Sequence, residues 1–401
     1  MRRSVVVLLV VAALIGALLL AIVAWPSVEV QQVEVQGGAA LVQGAGPPSV
    51  WVLTRHREVP TGLGAGFGEA RLVFTLHGHD SLSTERQWSR RLLVLPDRAG
   101  ALPTARLLGQ QSTLVWAFVH DRPVRLSVSD GTVMGTDLDI AERNPGLRSI
   151  WPREARSFVF DGSLVVTTAD ALHWRIDPVS LAATAYQPVD RDAFDRARFM
   201  ATQWSGRYRT EEFGVRHLRT LDGRWVGLYT EREAADAADD GFGSHFTQPD
   251  GVVDDGAQAR RQLWLARLGR TRAFSEGTHE RLEQLTPVGD GSLYLQGRLL
   301  RQPGESTAFS PGADGGGLIL HRSRLGGPLV LTRIGADLAP RWSRELPIHE
   351  LGQRWHLQEH VVLMGSAPGD DGRATQDWIV SLDLANGRLR GTHLQRPAGR
   401  R

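Results

Sequence analysis

The 401-residue chain contains no cysteine, and all 46 of its basic residues read as arginine because lysine is absent as well. Without cysteine there are no disulfides, thiolate metal ligands, cysteine nucleophiles or lipid-modified cysteine anchors. A domain of this length can still be stable through its hydrophobic core alone. We interpret the missing lysine as the codon bias of a GC-rich bacterium.

Long runs of one charge are lacking too. The formal net charge is +2, and arginines are interspersed with acidic residues along the chain. Nucleic-acid-binding domains concentrate basic residues on one face or segment, so no nucleic-acid partner is expected. Residues 395–401 form a short basic tail that we expect to be frayed.

One long apolar run is present, at residues 5–25. At about 1.5 Å per helical residue it spans about 30 Å, the thickness of a bilayer hydrocarbon core. Arg2 and Arg3 precede it, and the next arginine is Arg55. The positive-inside rule therefore predicts a single transmembrane helix, with residues 1–4 in the cytoplasm and the remaining chain across the membrane.

A cleaved signal peptide is the alternative interpretation of this run. Such peptides have an apolar core of about 7–15 residues and a cleavage site flanked by small residues. Cleavage after Ala24 is disfavoured because bulky Ile22 and Pro26 flank it. We therefore predict an uncleaved anchor in the bacterial inner (cytoplasmic) membrane, with the lipid bilayer as its partner and the C-terminal domain periplasmic or extracellular.

Residues 26–48 read as a linker whose first part alternates and could pair as a strand, while its second part is rich in glycine and proline. From 49 to 394, short apolar runs rich in valine, leucine, tryptophan and threonine recur between turn pairs such as Asp161-Gly162. This pattern is typical of an all-β domain. A helix is predicted only near residues 190–200, where Asp190 could cap it.

A weak repeat of strand, polar turn and strand occurs around Asp177, Gly335 and Asp383. Residues 383–387 read DLANG, whereas Leu181 occupies the glycine position of the Asp177 copy. These turns resemble those of the quinoprotein-like and YVTN-like β-propellers of bacterial envelopes, whose blades end in an Asp-x-x-x-Gly turn between two strands. The spacing of the repeat also suits four-stranded blades.

The resemblance implies a β-propeller of six to eight blades, with seven as the best estimate, over residues 49–394. Two β-sandwich-like domains are the alternative fold. The resemblance implies no particular function. Quinone-dependent dehydrogenases of this superfamily carry an adjacent cysteine pair over the cofactor, so no such cofactor, and no other, is expected in this chain.

One metal-binding hypothesis comes from His77, His79 and Asp80, at the end of an apolar run. Two histidines two apart lie on one face of a strand, where they could hold a metal ion. No third ligand is identifiable in the sequence. We therefore interpret the motif mainly as an exposed strand end and keep metal binding as the minor hypothesis.

A second motif, His356-Leu-Gln-Glu-His360, resembles the inverzincin metalloprotease signature. That chemistry requires a helix and a further downstream glutamate, but no glutamate follows Glu359. The motif also runs directly into a strand-like segment. A polar strand near a turn is therefore predicted, and no catalytic residue is assigned.

Three further features receive structural interpretations. The aspartate-rich stretch 234–258 lacks EF-hand spacing and is predicted to be a solvated loop, although cation binding stays open. The alternating glycines at 62–68 precede a strand rather than a helix, so a flexible loop is expected instead of a phosphate cradle. The 12 tryptophans are predicted to pack in the core, with stacking on a sugar or peptide as the alternative.

No complete catalytic constellation is recognisable. We therefore expect a membrane-anchored envelope protein of unknown role, whose β-domain binds an envelope protein partner or a ligand. The alternative is an envelope hydrolase or lyase that acts on a polysaccharide or lipid-linked substrate. The enzyme hypothesis predicts acidic side chains converging on a central channel.

Overall fold

A computed structural model describes residues 27–61, 69–97, 104–195, 214–215, 217–219, 225–239, 256–273, 277–288, 290–300, 316–369 and 375–395. The chain divides into two compact units, Met1–His79 with Arg86–Gly206 and Asp80–Glu85 with Arg207–Arg401. The predicted anchor at 5–25 lies outside the described residues. Within the described ranges, no helix has the length and apolar character to span a membrane.

The first unit contains three four-stranded antiparallel sheets, each with its strands in chain order. Sheet 1 comprises β1 (Ser27–Val42), β2 (Ser49–Thr61), β3 (Arg71–Asp80) and β4 (Arg86–Pro96). Sheet 2 comprises β5 (Ala105–Gln111), β6 (Leu114–Val119), β7 (Arg122–Ser127) and β8 (Val133–Thr136). Sheet 3 comprises β9 (Phe158–Phe160), β10 (Leu164–Thr167), β11 (His173–Ile176) and β12 (Ala183–Ala185). Helix α1 (Asp137–Arg143) and two 3-10 turns, Pro145–Ile150 and Ala155–Ser157, connect sheets 2 and 3.

The second unit contains a nine-stranded sheet 4 and a four-stranded sheet 5. Sheet 4 comprises β13 (Gly214–Val215), β14 (His217–Arg219), β15 (Trp225–Tyr229), β16 (Arg260–Ala273), β17 (Gly277–Pro287), β18 (Tyr294–Leu300), β19 (Gly317–Arg322), β20 (Leu329–Ile334) and β21 (Pro340–Glu345). Sheet 5 comprises β22 (Glu350–His356), β23 (His360–Pro368), β24 (Thr375–Asp383) and β25 (Leu389–His393). Helix α2 spans Glu231–Asp239. The prediction of a mostly β domain built from antiparallel sheets is confirmed.

Strand β1 occupies most of the segment interpreted from sequence as a linker. It pairs antiparallel with β2 from Ser27 opposite Thr61 to Val42 opposite Ser49. The ladder shifts register at Gly37 and Gly38, both of which have positive φ. These glycines let the strand continue past the end of its alternating pattern, so only residues 43–48 remain a connection.

Consecutive sheets pack face to face within each unit. In β6, Val115 and Ala117 face the buried residues of sheet 1, whereas Trp116 and Phe118 face those of sheet 3. Burial on both faces explains why β6 reads as an unbroken apolar run. Sheets 4 and 5 share a core of the same kind, which contains Leu331, Trp342, Leu363, Val380 and Leu382.

The turn between the third and fourth strands recurs in four sheets. Its first residue accepts a backbone hydrogen bond from the fifth residue, and the segments are Asp80–Thr84, Ser127–Gly131, Asp177–Leu181 and Asp383–Gly387. In each of them the fifth residue has a positive φ, which is +58° at Leu181 and +69° at Gly387. The Asp177 copy therefore keeps the turn despite lacking the glycine. In sheet 4 the equivalent turn is one residue shorter, closing from Gly335 to Ala339.

A tryptophan and an arginine on the last strand of one sheet contact this turn in the next sheet. Trp88 lies against Gly131, where an added Cβ would sit 2.6 Å from the indole, and Arg90 pairs with Asp130 at 3.3 Å. We call such a contact a joint.

The same joint links sheets 4 and 5. Trp342 lies against Gly387, with 2.7 Å to an added Cβ, and Trp342 Nε1 donates to the Leu384 carbonyl at 3.2 Å. Arg344 Nε donates to the Gly387 carbonyl at 2.9 Å. Both joints require a small fifth residue in the turn, because the indole ring fills the space.

Helix α2 corrects the prediction that the aspartate-rich stretch 234–258 is loop from its start. The helix begins with a capping box, since Thr230 Oγ1 accepts from Glu233 N at 3.1 Å and Glu233 Oε2 accepts from Thr230 N at 3.0 Å. Arg261 donates hydrogen bonds to the same carboxylate from Nε and Nη2, at 2.8 and 2.7 Å, and both side chains are buried. The pair neutralises a carboxylate that burial would otherwise penalise.

The predicted helix near 190–200 is described only in part. Residues 191–195 are helical, and Asp190 Oδ1 accepts from Ala193 N at 2.9 Å, as a cap does. The buried Phe194 packs against Val159 and Val165 of sheet 3. The cap predicted at Asp190 is therefore confirmed.

Candidate functional site

One face of sheet 1 carries a group of titratable side chains. Thr54, His56 and Glu58 alternate along β2 and so share a face, opposite the core residues Trp51 and Leu53. The adjacent strands add further polar side chains to this face. We call it the polar cluster, and its members are Thr54, His56, Glu58, His77, Ser89 and Arg91.

His77 lies at the centre of the polar cluster. Its Nδ1 lies 2.7 Å from Ser89 Oγ, and its Nε2 lies 2.8 Å from Thr54 Oγ1. Thr54 Oγ1 also lies 3.4 Å from the carbonyl of Thr75, to which it can donate. The consistent assignment has Nε2–H donating to Thr54 and Ser89 donating to Nδ1.

The imidazole of His77 is held neutral. Burial, followed by the positive charge of Arg86 and by His79 and His56, lowers its pKa from 6.5 to about 3. A neutral ring can accept a hydrogen bond from one hydroxyl and donate a hydrogen bond to another, as this network requires. Protonation would turn Nδ1 into a donor, so the hydrogen bond with Ser89 would have to reverse its direction.

Glu58 organises the other half of the polar cluster. Its Oε1 lies 3.4 Å from His56 Nε2 and also accepts a hydrogen bond from Arg91. Glu58 is 8% exposed, whereas the Arg91 side chain is 62% exposed. The arginine therefore reaches inward from the surface to compensate a buried carboxylate.

The cluster does not form a nucleophile–base–acid relay. Such a relay needs a carboxylate on the far side of the histidine from the nucleophile. With Ser89 on one side of His77, the far side is occupied by the hydroxyl of Thr54. Glu58 contacts His56 and Arg91 instead.

The residues of the metal hypothesis have hydrogen-bonding roles. The rings of His77 and His79 lie 6.4 Å apart, but both nitrogens of His77 face hydroxyls. Asp80 Oδ1 accepts from the backbone of Leu82 and Ser83 at 3.1 and 2.6 Å, within its turn. In the ranges that the structure describes, no three or more His, Asp or Glu side chains are grouped as metal ligands. The metal hypothesis gains no support from this geometry.

Sheet 4 contains a second network of the same composition. His321 Nε2 lies 2.9 Å from Thr332 Oγ1, which lies 2.6 Å from Ser343 Oγ. Burial lowers the pKa of His321, as it does that of His77. We call the two trios the sheet 1 network and the sheet 4 network.

Sequence reasoning missed this correspondence, although one signal was available. Residues 88–90 and 342–344 both read Trp-Ser-Arg. In each copy the tryptophan and arginine form the joint, and the serine between them joins the histidine network on the other face of the strand. A tripeptide whose residues keep these roles in two sheets marks an architectural repeat.

The His356-to-His360 motif forms a hairpin. His356 ends β22 and His360 begins β23, with His356 paired to Val361 and the Leu357 amide donating to the His360 carbonyl at 3.0 Å. The helix that the metalloprotease chemistry requires is not formed, and the predicted strand near a turn is confirmed. Burial, and then Arg354, lowers the pKa of His356 to about 3.

Of the remaining features singled out in the sequence, the structure describes only some. The glycines at 62–68 and the aspartates from 240 to 255 lie outside the described residues. Trp51 and Trp116 are fully buried, and Trp51 meets Trp88 edge to face at 5.1 Å. Core packing is therefore confirmed for these two tryptophans.

No protein-family model matches the chain, and no curated protein matches it. Among solved structures, the AtxE2 isopeptidase with astexin3-dC4 bound is 10% identical with a TM-score of 0.37, over 93% of this chain and 53% of that one. The WD40 domain of SCAP from fission yeast is 9% identical with a TM-score of 0.25, over 93% and 91%. The chain thus spans about half the length of the isopeptidase, and both likenesses are too distant to carry an argument about function.

Proposed function

We propose that the chain is a β-propeller scaffold, anchored in the bacterial inner membrane by residues 5–25, whose exported domain binds a protein partner or ligand without chemistry of its own. Four of its five described sheets are four-stranded meanders, which is the form of a propeller blade. Their common turn supports the same reading, since a blade is a repeated unit.

The joints support a stack of blades within each unit. Sheet 1 contacts the turn of sheet 2 through Trp88, and sheet 4 contacts that of sheet 5 through Trp342. Arg125 of sheet 2 donates to the carbonyls of Pro178 and Val179 in the turn of sheet 3.

The last strand makes a comparable contact. Within the second unit, Arg390 of β25 donates to the carbonyl of Leu82 in the turn Asp80–Glu85 at 3.2 Å. Thr392, also in β25, lies 2.9 Å from Thr84 of that turn. Like the joints, this contact sets the last strand of a sheet against a turn.

The recurrence of the histidine network carries the proposal that the domain binds rather than catalyses. The sheet 1 network holds the best candidates for acid–base or nucleophilic chemistry. The same side-chain types recur in the sheet 4 network, each time beside a joint. A catalytic site is normally built once, whereas an architectural device repeats with the blade.

The first strands offer a surface for binding. In the four-stranded sheets 1, 2 and 5 these strands, β1, β5 and β22, are half-buried and each carries a register shift, as strands beside binding sites often do. On β5, Gln111 Oε1 is buried and has no partner among the described residues. A bound ligand or water would satisfy it.

Labelling of single cysteines tests the anchor and its orientation, because the native chain has no cysteine to interfere. Val189 is fully exposed, so Val189→Cys is expected to react with a membrane-impermeant maleimide in intact protoplasts. The matched variant Ser4→Cys should react only after the membrane is permeabilised. Reaction of Ser4→Cys in intact cells, or a mature mass lacking residues 1–24, would contradict an uncleaved, cytoplasm-in anchor.

Site-specific cross-linking tests the binding role. A photoreactive residue at Gln111 is expected to trap one reproducible component of the envelope, whereas the same residue at Val94, on the outer strand β4, should not. The adduct would identify the ligand or partner by mass. Equal trapping at both positions, or none at either, would count against binding at the first strands.

A further inference from the structure

The first unit exposes a group of apolar side chains at the edge of sheets 2 and 3. Val133 and Met134 on β8, Leu138 on α1 and Val179 in the turn of sheet 3 are 42%, 51%, 69% and 79% exposed. We call these four residues the apolar patch. Exposed groups of this kind on soluble domains mark interaction sites.

Arg125 ties together the backbone segments that carry the patch. Its Nη2 donates to the Met134 carbonyl at 2.8 Å and its Nη1 to the Val179 carbonyl at 3.3 Å. One guanidinium therefore brings the edge strand and the neighbouring turn side by side. Gly135 permits this approach, because an added Cβ would lie 3.3 Å from Arg125 Nε.

The helix that carries Leu138 is held equally firmly. Thr136 and Asp139 form a capping box, in which Thr136 Oγ1 accepts from Leu138 N at 3.3 Å and Asp139 Oδ2 accepts from Thr136 N at 2.7 Å. A preorganised surface loses little entropy on binding. The apolar patch is therefore suited to docking without rearrangement.

The rim of the patch carries more acidic than basic side chains. Asp139 and Glu142 of α1 are exposed, and Asp177 begins the turn that presents Val179. Hydrogen bonds from Ser180 keep the pKa of Asp177 below its usual value, so this carboxylate is charged at neutral pH. Arg125 and the exposed Arg143 at the end of α1 keep their positive charges, so the three carboxylates leave the surroundings of the patch net negative.

We propose that the apolar patch docks a basic protein segment that presents aliphatic side chains flanked by lysine or arginine. The acidic rim complements such a segment. The same rim disfavours a two-fold contact with a second copy, which would bring like charges together. It also disfavours the anionic surface of a lipid bilayer. The proposal concerns only sheets 2 and 3, and it stands whether or not the sheets form a propeller.

Peptide binding to the full chain tests the proposal. The protein is placed in nanodiscs of neutral lipid, and the probe is a short fluorescent peptide of alternating lysine and leucine. Fluorescence anisotropy should show saturable binding that weakens as salt is added, because the flanking charges are exposed. An analogue with glutamate in place of lysine should not bind, and empty nanodiscs correct for adsorption to lipid.

Variants locate the site. The pair Met134→Ser and Val179→Ser should weaken binding about tenfold or more, and Glu142→Gln should weaken it by less. The matched pair Val30→Ser and Val94→Ser, which removes exposed valines from sheet 1, should leave binding unchanged. Circular dichroism checks that all variants remain folded.

Three outcomes would overturn the proposal. The first is no binding above that of empty nanodiscs, and the second is equal binding of the acidic analogue. The third is self-association in sedimentation that the Met134→Ser and Val179→Ser pair abolishes, which would assign the patch to a second copy. Failure here leaves the cross-linking at Gln111 unaffected, so this proposal and the proposed function can fail separately.

Discussion

The sheet 1 network and the sheet 4 network use the same three side-chain types in different orders. In sheet 1 the histidine, His77, occupies the central strand and contacts both hydroxyls. In sheet 4 the central residue is Thr332, and His321 lies at one end. Only the serine keeps its strand, between the tryptophan and arginine of a joint. The element that both sheets share is therefore the strand that carries the tryptophan, serine and arginine. The histidine and the threonine take opposite positions on the two strands beside it.

The two networks also differ in their electrostatic surroundings. Arg86, His79 and His56 add to the effect of burial on His77, whereas burial alone lowers the pKa of His321 and a hydrogen bond with the backbone of Arg322 opposes it. The polar cluster of sheet 1 is thus the more charged environment. Matched substitutions in sheets 1 and 4 can show in which respects the two sheets differ.

The largest expected effect follows removal of the joint tryptophans. Trp342 is 8% exposed and fills the space over Gly387, so Trp342→Ala should lower the free energy of unfolding by about 3–5 kcal/mol. Trp88→Ala should cost less, because Trp88 is only half-buried. Urea denaturation followed by circular dichroism measures both. Equal losses would show that the two tryptophans contribute equally to the free energy of unfolding despite their different burial.

The next effect follows loss of a network hydroxyl. Thr332→Val removes an oxygen bonded to both His321 and Ser343, and should cost about 1–3 kcal/mol because two hydrogen bonds are lost. Thr54→Val should cost less, since Thr54 ends its network and His77 keeps Ser89. A larger loss for Thr54→Val would contradict the assignment of the central residues.

The pH dependence separates the histidines. The folded-state pKa of His77, about 3, lies below its unfolded value of 6.5, so the unfolded chain binds the extra proton between these pH values. Its contribution to stability is complete above pH 6.5 and is lost as the pH falls towards 3, by about 1.4 kcal/mol per pH unit. His77→Gln should reduce the slope by this amount and leave the contribution of His356, measured by urea denaturation between pH 4 and 6.5. His321→Gln should flatten the profile by less, and an unchanged profile for His77→Gln would refute the lowered pKa.

The smallest effect concerns the shared turn. Leu181 has φ of +58° where the fifth sheet has Gly387, so its backbone is strained. Leu181→Ala and Leu181→Gly remove the same packing, but the glycine variant should be more stable by about 1 kcal/mol. Thermal denaturation of the two variants gives the difference directly. An alanine variant as stable as the glycine variant would mean that the turn does not strain its fifth residue.

Local patterns predicted much of the fold. Apolar runs between turn residues located most strands, and the Asp383 repeat marked a turn that four sheets share. Strand β1 fell within the predicted linker, of which only the first part was expected to pair as a strand, because Gly37 and Gly38 interrupt the alternation where the structure uses them as a bulge. Helix α2 was not predicted because its sequence is of low complexity, although Thr230 and Glu233 have the spacing of a capping box.

The candidate site was harder to predict. His77 stands out in the sequence, but its partners Thr54 and Ser89 come from two other strands. Their meeting depends on register, and a register shift between Gly78 and His79 leaves no mark in the pattern of residues. The repeat of Trp-Ser-Arg is visible in the sequence. Its structural role could not be predicted, because the turn that each copy contacts lies in another sheet.

Hydrogen exchange in the turns tests most directly whether the joint is the repeated unit of this architecture. The Gly131 amide donates to the Ser127 carbonyl and the Gly387 amide to that of Asp383, so each reports on its own turn. Trp88→Ala should speed exchange at Gly131 and leave Gly387 protected, and Trp342→Ala should do the reverse. Loss of protection at both turns in either variant, or at neither, would contradict the claim that each tryptophan holds the turn of the following sheet.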